Sequence, residues 1–241
     1  KNPILSQELS PEFKLGMRGF EHWLSTHGNP VTLFVIADSL ENQEFCLWLK
    51  GVITEYSNRI TIGCHGLTHK SWSAWPEDAE QFSQSITQAM EQISGFAGEN
   101  FRPWFRAPAG YMAPWMVAPL VDCGITVDSS INDSILTRVK AGGGNTWQQV
   151  RDTCQQVGLL EREWLTKWRL PVNGPALSLF PLSLIAQRAW KQLPPPLSAA
   201  ELTKSVEDEK TEIVTVYWHI LDHSRRRGRW QPPITKSILN H

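Results

Sequence analysis

The chain has 241 residues and nearly balanced charge, with 23 Lys and Arg against 24 Asp and Glu. This length is enough for one α/β domain over 1–241 with a substantial core. The charge balance excludes a global field favouring nucleic acid or an anionic membrane surface. No apolar run approaches the ~20 residues of a membrane span, and the opening KNPILSQELS lacks the pattern of a secretory leader. The four cysteines show no C-x-x-C spacing. Reduced thiols and a cytoplasmic location are therefore expected, with secretion as the alternative if an upstream segment has been removed. The longest basic run, Arg225-Arg226-Arg227 with Arg229, sits beside Gly228 and ahead of Pro232-Pro233 and reads as a solvated loop.

Ser10-Pro11-Glu12 has the form of a helix start, a capping hydroxyl followed by a proline whose missing N–H costs nothing there. Phe13, Met17, Phe20, Trp23 and Leu24 continue at helical spacing to Gly28, which can supply a left-handed stop. Val31 to Ala37 is a continuous β-branched and aromatic run of the kind buried in a parallel sheet. The alternation predicts a helix from about Gln43 to Tyr56, a strand over Arg59 to Cys64, and an amphipathic helix from about Pro76 to Ser94. The segment PWFRAP, a helix near Ala113 to Asp122 and the strand-like GITVDSS follow. Past the loop Gly142-Gly143-Gly144, TWQQVRDTCQQVG reads as a helix, TKWRLPV as a strand, SAAELTKSVEDEK as a capped helix and EIVTVYWH as a last strand. Strands alternating with helices favour a parallel, barrel-like sheet, where chemistry sits at the C-terminal strand ends.

Three strand ends carry suitable residues. His65 and His69 follow RITIGC. If the chain makes a helical turn there, their spacing puts both imidazoles on one face and supplies two nitrogen donors for zinc; an exposed histidine face is the alternative. Arg106 emerges in FRAPAGY, where Pro108 and Gly110 can bend the backbone and aim an N–H at a ligand; the alternative is a loop with a surface arginine. VTVYWHIL delivers His219, the right type for proton transfer near neutral pH, or else a hydrogen-bonded core histidine.

Taken together, HGLTH, RAPAG, VDSS and the strand-borne His219 resemble, in order and spacing, the polysaccharide deacetylase family, carbohydrate esterase family four, over about Ser10 to His223. HGNPVTLFVIADSLE resembles that family's second strand with its preceding helix. The resemblance implies a distorted (β/α) barrel and a metal-dependent hydrolase, often using zinc, in which metal-activated water removes an acetyl group from an N-acetylated sugar, polysaccharide or related small amide. Carried over, His65 and His69 are metal ligands and His219 is the general acid for the departing amine. Arg106 is the arginine that orients the catalytic aspartate, and Asp128 orients or tunes His219. Ala109, Gly110 and Tyr111 fall in the substrate-binding loop, with the Ala109 N–H at the oxyanion hole.

The family's first motif, a strand ending in two adjacent aspartates, is not found between Lys1 and Val31, and Asp38 follows a different strand. The expectation is that this strand precedes Lys1, because a barrel opening on a helix leaves a strand edge unpaired and Arg106 calls for a carboxylate companion. Ala109 also stands where the family has tyrosine, with Tyr111 two residues later. The alternative function is a non-catalytic relative that binds carbohydrate or a partner. Bound metal with amide turnover selects the enzyme.

Overall fold

The computed structural model describes residues 8–234. Ser10 caps helix α1 (Pro11–Thr26), accepting a hydrogen bond from the Phe13 N–H, and the helix buries Phe13, Met17, Phe20, Trp23 and Leu24. It ends without a left-handed residue: His27 is extended and its N–H bonds to the Trp23 carbonyl, so Gly28 is not the stop. Strand β1 (Val31–Val35), helix α2 (Gln43–Glu55), β2 (Ile60–Cys64), α3 (Ala79–Ala97), β3 (Phe101–Phe105), α4 (Pro114–Asp122), β4 (Val127–Asp128), α5 (Trp147–Val157) and β5 (Leu160–Glu161) then alternate. The strands form one parallel sheet in sequential order, β1-β2-β3-β4-β5. This is the α/β architecture the alternation predicts.

Phe105, Asp128 and Glu161 stand in register across β3, β4 and β5. So do Trp104, Val127 and Leu160, which pack in a second cluster with Leu202, Val206 and Ile213. Two of those residues belong to helix α7 (Ala199–Glu207), tied to the sheet by the Trp104 indole N–H donating to Glu207 Oε1 at 3.0 Å. Arg162, just past β5, donates to the carbonyls of Ser205, Val206, Asp208 and Thr211. A guanidinium thus satisfies carbonyls that the end of α7 leaves unpaired.

Two predicted strands differ from expectation. TKWRLPV folds as a hairpin of β6 (Thr166–Lys167) and β7 (Leu170–Pro171), because Trp168 and Arg169 both adopt positive φ and reverse the chain. EIVTVYWH contributes one isolated parallel bridge, Trp164 to Thr215, outside the five-stranded sheet. Its neighbour is irregular: the Tyr217 N–H donates to the Asn173 side chain and the Tyr217 carbonyl accepts from the Gly174 N–H. Among the described residues, the outer edge of β1 has no hydrogen-bonded strand neighbour. Helix α6 (Leu182–Trp190) buries Ala186, Ala189 and Trp190 in a separate small cluster.

Helix α1 fixes the segment that follows His219. A Cβ at Gly16 would lie 2.8 Å from the Ile220 carbonyl oxygen, and one at Gly19 would lie 2.8 Å from His223 Cβ. Only glycine permits this approach between the helix and the 3₁₀ turn Ile220–Ser224. The four cysteines are free. No helix among the described residues is long and apolar enough to cross a membrane.

Candidate active site

The C-terminal end of β2 delivers His65, whose N–H bonds to the Val35 carbonyl and extends the ladder by one residue. Gly66 then turns at φ +87, and the chain reaches His69 without forming the helical turn that the spacing suggests. The two imidazoles nevertheless meet, their ring centroids 5.3 Å apart and inclined at 64°. His65 Nδ1 lies 2.6 Å from the Arg106 carbonyl oxygen. A carbonyl can only accept, so Nδ1 carries the proton and the Nε2 lone pair is left for another partner. Burial pushes the His65 pKa down to about 3 against the help of that bond, and the neighbouring charges of Arg106, His69 and His219 act in the same direction as burial. The His69 pKa is lowered by burial and by His219. Both rings are therefore neutral at pH 7, the form that binds metals.

The end of β3 delivers Arg106, which is buried and donates to the Ser129 carbonyl at 2.7 Å. Its guanidinium lies 3.9 Å from the Tyr217 ring centroid and 5.3 Å from that of Trp164. Burial lowers the Arg106 pKa, while Tyr217, Asp128 and Glu161 favour its charge. Trp164 and Tyr217 meet edge to face at 4.9 Å, and Tyr217 meets His219 the same way at 5.6 Å. One continuous cluster thus links the ends of β2 and β3 to the segment before His219.

Pro108 to Gly110 form a tight turn beside this cluster, with Ala109 at φ +54 and Gly110 at φ +71. A side chain at Gly110 would crowd the Ser130 carbonyl and approach the Trp164 ring. Lys140 Nζ donates to the Ala109 carbonyl at 2.7 Å and lies 5.4 Å from the Tyr111 ring centroid. The Gly110 and Tyr111 amides are used within the turn, donating to Ala107 and Pro108.

His219 is exposed and its Nδ1 faces Asp222 Oδ2 at 3.4 Å, while the same carboxylate accepts the His219 backbone N–H at 2.8 Å. Arg225 pairs with the other Asp222 oxygen at 3.0 Å. Burial pushes the Asp222 carboxyl up, but the bonds from His219 and the charge of Arg225 outweigh it and hold the pKa below the usual range. The carboxylate beside His219 is therefore Asp222. Asp128 is fully buried instead, bonded to the Ser130 hydroxyl at 2.5 Å and to the Ser130 N–H at 3.1 Å, and adjoins Glu161. Both Glu161 carboxyl oxygens are buried, beside the Asp128 carboxyl and the Ile131 backbone. Burial, with the Asp128 charge beside it, raises the Glu161 pKa well above the carboxylate range.

Two imidazoles suit zinc by donor type. Among the described residues no group of three or more His, Cys, Asp and Glu side chains is placed to hold an ion. The pair therefore fits part of a coordination sphere rather than a full ligand set. Tyr217, Trp164, Lys140 and Asp222 were not identified from sequence. Tyr217 stands two residues before His219 in an extended stretch, a spacing that puts both on one side, and Asp222 follows His219 at i+3. Lys140 and Trp164 carry no such local signal.

A histidine, arginine and tyrosine cluster stands at the C-terminal side of the parallel sheet. Residues 18–127 match the family described as polysaccharide deacetylase. The chain is also similar to the crystal structure of a candidate polysaccharide deacetylase from Mycobacterium smegmatis, with TM-score 0.54 and 17% identity over 90% of this chain and 68% of that one. No curated protein sequence matches it. The family match spans β1 to β3 and includes His65, His69, Arg106 and Ala109, and the structural likeness shows the shared fold.

Proposed function

We propose that the protein is a metal-dependent hydrolase that removes an acetyl group from an N-acetylated sugar or polysaccharide, breaking a C–N bond outside peptides. The observation that carries this reading is the contact of His65 and His69, with the Nδ1–H of His65 held by the Arg106 carbonyl, which leaves the Nε2 lone pair for a ligand. A ring nitrogen anchored to a backbone carbonyl is the usual support for a metal-binding imidazole. In this reading His65 and His69 hold a divalent ion, zinc first among the candidates, which when bound polarises the amide carbonyl and activates water.

The chain's own residues supply the rest. His219 as the imidazolium, its Nδ1–H turned to Asp222, presents Nε2–H to the departing amine and gives it that proton as the C–N bond breaks, returning to the neutral ring. The Ala109 N–H, held on its strained turn by Lys140, stabilises negative charge developing on the carbonyl oxygen. Arg106 holds the His65 ring through its carbonyl and packs against Tyr217 and Trp164, so the metal-binding and proton-donating sides share one support.

The test is elemental analysis of purified, dialysed protein together with acetate release from N-acetylated sugars. About one ion per chain is expected, lost in His69→Ala and kept in His219→Ala, with turnover falling in both. Metal occupancy unchanged in His69→Ala would refute the ligand assignment.

A further inference from the structure

We propose that the outer face of the 3₁₀ helix Ile135–Ala141, with the tip of the β6–β7 hairpin, docks this protein on an anionic lipid bilayer. The two elements adjoin, the Ile135 N–H donating to the Arg169 carbonyl at 3.0 Å. Thr137 and Ala141 are the buried residues of the helix. Leu136 and Val139, three residues apart, stand one above the other on its surface, and Val139 is 80% exposed. Ile135 is exposed beside them, and Trp168 at the hairpin tip is 72% exposed. Single exposed apolar side chains are ordinary, but large ones gathered on two touching elements form a patch.

The charge around the patch identifies what it meets. Arg138 lies on the same helix and Arg169 on the hairpin tip beside Lys167, and neither residues 134–147 nor residues 164–198 include an Asp or Glu. The acids that border these stretches, Asp133 and Glu163, are both held by Arg151 at 2.6 Å. Among the described residues, none of Arg138, Lys167 and Arg169 pairs with a carboxylate. In a chain of net charge -1 this is a local excess of cations. An anionic bilayer complements it, taking the basic groups at its phosphates and the apolar side chains at the acyl boundary. Trp168, with Lys167 Nζ 5.9 Å from its ring centroid, is of the type that sits at the headgroup level. A second copy of the chain would instead bring like charges face to face. Lys140, on the same helix, holds the Ala109 carbonyl at 2.7 Å, so the docked face lies beside the candidate active site. The proposal stands apart from the reaction assigned to that site.

The test is co-sedimentation of the full chain with vesicles of phosphatidylcholine alone, and of phosphatidylcholine with phosphatidylglycerol in equal parts. Wild-type protein should bind the mixed vesicles at least about tenfold more tightly, and more weakly as salt rises. Arg138→Gln/Arg169→Asn should bind them about tenfold more weakly. Val139→Ser/Trp168→Asn should lose about as much through the apolar area removed. Asparagine accepts the positive φ of both hairpin positions. All four side chains are exposed, so both variants should melt as wild type does; if one does not, the other decides. Equal binding of wild type to the two vesicle types, or unchanged binding by the variants, would overturn the proposal. No vesicle binding at all would overturn it and leave the face to an acidic protein. Self-association in ultracentrifugation that Val139→Ser/Trp168→Asn abolishes, without vesicle binding, would overturn it in favour of a second copy.

Discussion

The Asp222 carboxylate accepts the backbone N–H of His219 at 2.8 Å and faces the Nδ1 of the same residue at 3.4 Å. A single oxygen thereby sets both the position of the backbone and the tautomer of the ring. In the proposed function, Asp222 acts through His219 as a positioning residue.

Asp222→Asn keeps the size of the side chain but removes the charge that favours Nδ1–H. Turnover should fall about 10–100-fold, with KM little changed. Steady-state kinetics reads this directly. A purely structural role would lower the melting temperature and leave kcat of the folded enzyme alone.

The close approach of α1 to the Ile220–Ser224 turn leaves no room for a methyl group at Gly19, where a Cβ would fall 2.8 Å from His223 Cβ and 3.1 Å from its carbonyl oxygen. Gly19→Ala should destabilise the fold by about 1–3 kcal/mol despite the better helix propensity of alanine. Urea unfolding measures it, and a neutral or stabilising outcome would mean that the helix and turn yield easily. Gly51, on α2, meets nothing within 4 Å of an added Cβ, so Gly51→Ala serves as the control and should gain stability.

Glu161 gives a pH dependence whose sign follows from its raised pKa. The folded protein keeps this proton after the unfolded chain has released it near pH 4.5. The stability associated with the proton is therefore complete below that pH and is lost as pH rises towards the folded value. Glu161→Gln removes the titration. Its stability relative to wild type should grow from acid to neutral pH, reaching on the order of 1–3 kcal/mol by pH 8. Thermal melts of both proteins from pH 4 to 8 check it, and a constant difference would exclude Glu161 as the source.

The N-terminal half was the legible part. Capping at Ser10, the apolar stripe of α1 and the dense β-branched runs of β1 and β2 are local signals, and the folded chain follows them to within a few residues at most ends. Past β4 the local signal misleads. EIVTVYWH has strand composition, yet its backbone groups at Tyr217 are satisfied by Asn173 and Gly174, outside any strand. TKWRLPV has no Asn-Gly or glycine to mark its reversal, which falls instead on Trp168 and Arg169 at positive φ. The residues that bear chemistry by type, His65, His69, Arg106 and His219, could be named because strand ends are where such residues become available. Their companions could not, since Lys140 reaches Ala109 across 31 residues and Trp164 meets Arg106 from 58 residues further along the chain.

Gly16 and Gly19 press against residues roughly 200 positions further along the chain. The turn after His219 is thus seated by one of the longest-range contacts in the molecule, which costs the most loop entropy to form and gains nothing until both arms are in place. During synthesis the paired imidazoles can assemble on β2 long before His219 exists. The order of events is then built into the connectivity: the imidazole pair is in place first, and His219 joins it only when α1 closes on the far arm.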